Sequence, residues 1–204
     1  VRKSKIGLII NPIAGMGGKV GLKGTDGPAI LTKAKNLGAI QIAGIKTEQT
    51  LSLLTILRNR LEILTCPGEM GEIACNAAGI TPTIITAQVG TITTQLDTIN
   101  AVQVLCHSRV ELLLFAGGDG TACDIFSALE ENTPILGIPA GVKMHSAVFA
   151  NSPASAGKLV SNLIQRTTPR FPTKQAEIMD IDEDARRQGL IRTTLVGYAD
   201  IPVD

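Results

Sequence analysis

Short apolar runs alternate with helix-like segments from residue 5 to residue 166, and no other feature narrows the fold as much. Chains built this way form α/β structures in which parallel strands are joined by crossover helices. The runs 5–11, 61–66, 83–87, 110–116 and 134–138 are rich in Ile, Leu or Val without strict alternation, as strands covered on both faces should be. The prediction is a Rossmann-like open parallel sheet of five strands with helices on both faces.

Helix punctuation agrees. Asp26 followed by Pro28 predicts a helix start that Gly38 ends, Ser152-Pro153 predicts another start, and Gly79 closes a third helix. In 95–107, Leu96, Ile99, Val102, Leu105 and Cys106 make an apolar stripe, while Asn100, Gln103 and His107 share the opposite side. His107 therefore reads as a surface imidazole near a helix C-terminus. After Pro172 the pattern becomes two strand-like stretches, 175–181 and 190–203, separated by the charged run 182–187. Two strands alone are marginally stable in water, so they must join the main sheet, pair with another chain or belong to a longer protein. The expected organisation is an α/β domain over 1–170 and the beginning of an incomplete β-rich domain over 171–204.

Composition excludes several classes. With 44% hydrophobic and 2% aromatic residues and no Trp, the core must be built from Ile, Leu, Val and Ala. Nineteen Lys and Arg against eighteen Asp and Glu give a net charge of +1, which argues against a nucleic-acid or acidic-membrane binder. No run approaches the ~18 apolar residues of a membrane span, and no secretory signal opens the chain. The expectation is a soluble, cytoplasmic protein. Cys66, Cys75, Cys106 and Cys123 lie in no metal-ligand spacing and read as reduced, buried thiols.

The strongest local signal is Gly117-Gly118-Asp119-Gly120-Thr121, between a strand and a helix. Glycines at such a turn let backbone amides approach phosphate oxygens, and the helix N-terminus, with Thr121 as a candidate cap, favours negative charge. Asp119 would repel a phosphate unless it holds a metal ion or takes a proton from a reacting hydroxyl, and both roles serve phosphoryl transfer. The alternative is a tight turn in which Asp119 bonds local amides. A second glycine-rich loop, 11–19, follows the first strand. It is not a Walker A loop, because Ile13 and Val20 occupy positions that need Gly and Ser or Thr. It reads either as a phosphate loop with Lys19 as counter-charge or as an ordinary βα connection. A third loop, 137–146, would project beside both, and its Lys143 and His145 either bind phosphate, pair with Asp119 or are solvated.

Asn11-Pro12 with its glycines, followed at a distance by Gly117-Gly118-Asp119-Gly120-Thr121, resembles the kinase superfamily that unites NAD kinases with diacylglycerol and sphingosine lipid kinases. The stretches 22–27, 67–72, Asp97-Thr98 and 138–146 are similar to the prokaryotic ATP-NAD kinase-like branch, which includes an accessory protein of acetoin catabolism. The resemblance covers nearly the whole chain. It implies ATP or polyphosphate as donor, the 2'-hydroxyl of NAD as acceptor, NADP as product, Mg2+ as cofactor and a homo-oligomeric assembly. Carried over by position, Asp119 is the activating carboxylate, and Gly117, Gly118, Gly120 and Thr121 form the phosphate-binding turn. Asn11, Gly15, Gly17 and Gly18 then lie at the donor phosphates, with Lys143 and His145 as further nucleotide contacts. Three departures stand out: the acceptor-gripping Asn-Glu pair is missing, with only Asp200 in that region, Cys123 replaces a frequent Arg, and the chain stops soon after its β pattern begins. Alternative functions are a nucleotide-binding accessory or sensor protein without catalysis, and a kinase for another small alcohol or a lipid.

Overall fold

A computed structural model describes residues 2–22, 28–85, 93–130, 133–141, 144–166, 170–181 and 192–204. Strands β1 (Ser4–Ile10), β2 (Leu61–Thr65), β3 (Thr83–Ile84), β4 (Leu112–Gly117) and β5 (Ile135–Pro139) form one sheet in the order β3-β2-β1-β4-β5. Every pairing is parallel; Ile6, for example, faces Ile63 on one side and Leu112 on the other. This is the predicted open α/β sheet. β5 runs one residue further than its apolar run, because Pro139 still pairs with Gly117. Described β3 spans two residues, and Ala87 of the predicted strand lies outside the described residues.

Alternate residues of the strands serve two cores. Ile6, Leu8, Ile10, Leu112, Leu114 and Ala116 face α3 (Ala43–Ser52), α4 (Glu72–Ala77) and α7 (Pro153–Gln165). Ile9, Leu113 and Phe115 face α5 (Gln95–His107) and α6 (Asp119–Ala128). Helices α1 (Met16–Lys19) and α2 (Pro28–Asn36) follow β1. Ser152 caps α7 through Ser155 as its sequence signals, and Gly38 and Gly79 end their helices at positive φ. Asp26, the predicted cap of α2, lies outside the described residues. His107 is exposed, its Nδ1 3.3 Å from Glu130, as expected of a surface imidazole. The apolar stripe of α5 needs one correction: Leu96 is 67% exposed, and Thr98 is buried in that turn.

The C-terminal strands β6 (Thr173–Ile181) and β7 (Thr193–Pro202) pair antiparallel in a sheet of their own, with a register shift between Ile178 and Met179. The charged run between them falls within 182–191, outside the described residues. This second sheet lies on the α5/α6 side, where Ala176, Ile178 and Ala199 are buried with the core. A Cβ on Gly197 would run into the Phe126 ring of α6, so glycine there allows the close approach. Tyr198, on the same strand, is half exposed.

Segment 148–150 extends the main sheet beside β5: the Gly137 N–H donates to the Val148 carbonyl, and the Ala150 N–H to the Gly137 carbonyl, both at 2.9 Å. Phe149 and Phe115 meet edge-to-face at 5.3 Å over Gly137, where a Cβ would overlap the Phe149 ring. Gly137→Ala should therefore lower stability by about 1–3 kcal/mol, the usual cost of overpacking, read as a lower urea midpoint at unchanged m-value.

Candidate active site

The strand order reverses between β1 and β4, which lie side by side while their chain connections run to opposite ends of the sheet. In open α/β sheets the crevice outside the carboxyl ends of such strands takes the ligand. The loops leaving β1, β4 and β5 meet there.

The loop after β1 is held to the turn after β4 by Asn11. Its Oδ1 accepts from the Ile13 N–H at 3.2 Å, and its Nδ2 donates to the Thr121 hydroxyl at 3.0 Å. Thr121 is thus not the cap of α6. Gly118 is the N-cap, and Thr121 lies inside the first turn, buried, as the partner of Asn11. A Cβ on Gly117 would collide with the Thr121 side chain, which fixes glycine at the end of β4. Gly15 sits at φ +75°, and a Cβ there would overlap the Ala140 carbonyl oxygen, so the first loop packs directly on the third. Gly17 and Gly18 lie within the single helical turn of α1, where the Val20 and Leu22 N–H groups donate to the Gly17 carbonyl. The first loop is therefore a compact turn.

Around the turn after β4, Gly118 approaches the backbone of Gly141, with 3.9 Å between its Cβ position and the Gly141 Cα. Gly120 is exposed with open space over its Cα. The first N–H groups of α6 have no intrahelical acceptor and favour an anion at this end.

Asp119 is 6% exposed. Its Oδ2 accepts from the His145 N–H at 2.7 Å and its Oδ1 from the Ser146 N–H at 2.9 Å. The carboxylate thus bonds main chain, as the tight-turn alternative has it, but on the third loop rather than its own. The pairing of His145 with Asp119 also runs through the peptide, and the residue is exposed. Lys143 lies outside the described residues, and so does the Lys19 side chain.

Two neighbours are not singled out by the sequence, Lys46 in no motif and Ser146 as the last residue of the third loop. Lys46, on α3, donates through Nζ to the Pro139 carbonyl at 2.7 Å and brings a positive charge to the end of β5. Ser146 holds Asp119 with its N–H while its hydroxyl bonds the Met179 main chain. Cys123, in place of the frequent Arg, points its thiol at the same Met179 carbonyl, 3.7 Å away.

Among the described residues no three His, Cys, Asp or Glu side chains form a metal cage. A cavity of about 420 Å³ opens at the other end of the sheet, lined by Arg2, Arg109, Arg170, Glu111, Glu130 and Asp200 among others. Its opposite charges balance, and it lies below β4 and β5 rather than at the switch point. Asp200 is thereby placed away from the cleft.

This arrangement defines a doubly wound α/β domain with a glycine-rich ligand crevice. The chain belongs to the ATP-NAD kinase family, whose N-terminal domain model matches residues 6–168. No curated protein matches the chain. At family level the protein is a nucleotide-binding kinase of NAD-kinase type, and no helix among its described residues is long and apolar enough to cross a membrane.

Among the described residues the cysteines are unbridged. Burial pushes the thiols of Cys66, Cys75 and Cys123 up to about 12, with help from Asp97 at Cys66 and from Asp180, Asp119 and Asp124 at Cys123. Neutral thiols do not attack, so iodoacetamide at pH 8 should leave these three unmodified in the folded protein and alkylate them in urea. The folded state keeps these protons longer than the unfolded one, so stability should fall as pH rises from the ordinary 9.0 towards 12. Gly15→Ala forces a Cβ into left-handed backbone against a carbonyl; it should cost about 1–3 kcal/mol, readable as a lower melting temperature.

Proposed function

We propose that the protein transfers a phosphoryl group from ATP, or polyphosphate, to the 2'-hydroxyl of NAD, giving NADP. The observation that supports this most directly is the meeting of three loops at the switch point, with Asp119 joining the second to the third. In this reading the donor phosphates lie along Gly117, Gly118, Gly120 and Thr121 and beside Asn11, Gly15, Gly17 and Gly18, with Lys143 and His145 as counter-charges. The two amide bonds to Asp119 use two of the roughly four acceptor positions of a carboxylate. A remaining lone pair accepts the proton of the acceptor hydroxyl as its oxygen bonds to the terminal phosphorus and the phosphorus–bridging-oxygen bond breaks.

The donor set suits Mg2+ only as an ion that arrives on the nucleotide. Mg2+ keeps waters and binds through one or two carboxylates plus substrate phosphates, and the described residues form no cage of three ligating side chains. When bound, it neutralises phosphate charge.

The segment 171–204 belongs, on this proposal, to a β-rich domain that completes the acceptor side, and the assembly is homo-oligomeric and cytoplasmic. A second reading has one observation in its favour. With both oxygens of Asp119 on main chain, the carboxylate serves equally to hold the loops of a nucleotide-binding protein without catalysis.

Incubation of the full chain with ATP, Mg2+ and NAD separates the two, NADP appearing only in the first. Asp119→Asn, which keeps one of the two amide bonds, should lower turnover by about a hundred- to ten-thousandfold and weaken nucleotide binding much less. Unchanged turnover in that variant removes Asp119 from the chemistry.

A further inference from the structure

Ser146 stands between Asp119 and the second sheet. Its N–H donates to Asp119 Oδ1 at 2.9 Å. Its hydroxyl accepts from the Met179 N–H at 2.9 Å and donates to the Met179 carbonyl at 3.2 Å. One residue later the Ala147 N–H donates to the Glu177 carbonyl at 2.8 Å. Glu177 and Met179 are two apart on β6, so their main-chain groups face the same edge. Segment 146–147 is therefore fastened to β6 at two points, by one main-chain hydrogen bond and by the Ser146 hydroxyl.

We propose that Ser146 is a positioning residue for phosphoryl transfer, making the orientation of the Asp119 carboxylate depend on strand β6. The proposal rests on the kinase reading of Asp119. The physical basis is a continuous set of short bonds: β6 main chain, Ser146 hydroxyl, Ser146 peptide, Asp119 carboxylate. Both side chains are buried, Asp119 at 6% and Ser146 at 7% exposure. A shift of β6 carries the 145–146 amides with it, and the carboxylate follows its donors. A hydroxyl is suited to this task because it donates and accepts at once, satisfying both groups of Met179. Cys123 reaches the Met179 carbonyl alone, with a weaker donor. Misplacing a reacting group by about 1 Å can lower a rate by about a hundredfold, so a tether of this kind acts on turnover more than on binding.

The experiment compares Ser146→Ala and Ser146→Thr in the full chain. The alanine variant keeps the N–H that holds Asp119 and loses the link to β6, whereas threonine restores the hydroxyl. With ATP, Mg2+ and NAD at a temperature where all three proteins are folded, kcat should fall about ten- to a hundredfold in the alanine variant. KM for ATP should change little, and threonine should recover most of the loss. In parallel, amide hydrogen exchange at His145 and Ser146 should be about five- to tenfold faster in the alanine variant, as expected for a lost hydrogen bond of about 1 kcal/mol. An unchanged exchange rate at both amides overturns the proposal, and so does a kcat loss that threonine leaves unrepaired. If the wild-type chain forms no NADP, the kinase reading fails, and the exchange rates alone then decide whether Ser146 tethers Asp119 to β6.

Discussion

The two hydrogen bonds from the His145 and Ser146 amides to the Asp119 carboxylate hold the crevice together. A carboxylate as buried as this one is costly unless donors surround it. The third loop supplies them, and in doing so is drawn down over the turn after β4. Glycine at 118 and 141 lets those two backbones come close, and Gly15 brings the first loop against Ala140. The crevice follows from this convergence, with Asn11 and Thr121 fastening its remaining side.

The sheet assigns different work to its two ends. At the carboxyl ends of β1 and β4 the chain presents glycines, helix N-terminal amides and few bulky side chains, so a charged ligand meets backbone donors. At the amino ends, Arg2 pairs with Glu111 at 3.2 Å, and the neighbouring arginines share a cavity with carboxylates. There the charges answer one another across the protein. The first end, among the described residues, is the one at the topological switch point.

Much of this was legible before any coordinates. The five strands follow from apolar runs because residues buried on both faces leave little choice of side chain, and the caps at Ser152, Gly38 and Gly79 act within a few residues of themselves. The glycines of 117–120 announced the crevice for the same local reason. Tertiary partnerships were less visible. Thr121 looked like a cap because its position in the sequence fits one, yet the structure gives its hydroxyl to Asn11, 110 residues earlier. Lys46 belongs to no motif and reaches the site only because α3 packs beside β5. Ser146 was one letter in a matching stretch, and its role needed the placement of β6, which no pattern in 137–146 encodes. Leu96 falls outside the apolar stripe because Thr98, in the same turn of α5, takes the buried position.

The chain has no tryptophan and a single tyrosine, and that tyrosine, Tyr198, sits on β7 of the C-terminal hairpin. Near-ultraviolet emission from this protein is therefore a local signal. It reports the hairpin and not the parallel sheet, whose loss would be seen in the far-ultraviolet dichroism of its helices. Comparing the two signals during unfolding would show directly whether the hairpin leaves the α5/α6 face before the nucleotide fold gives way, or only together with it.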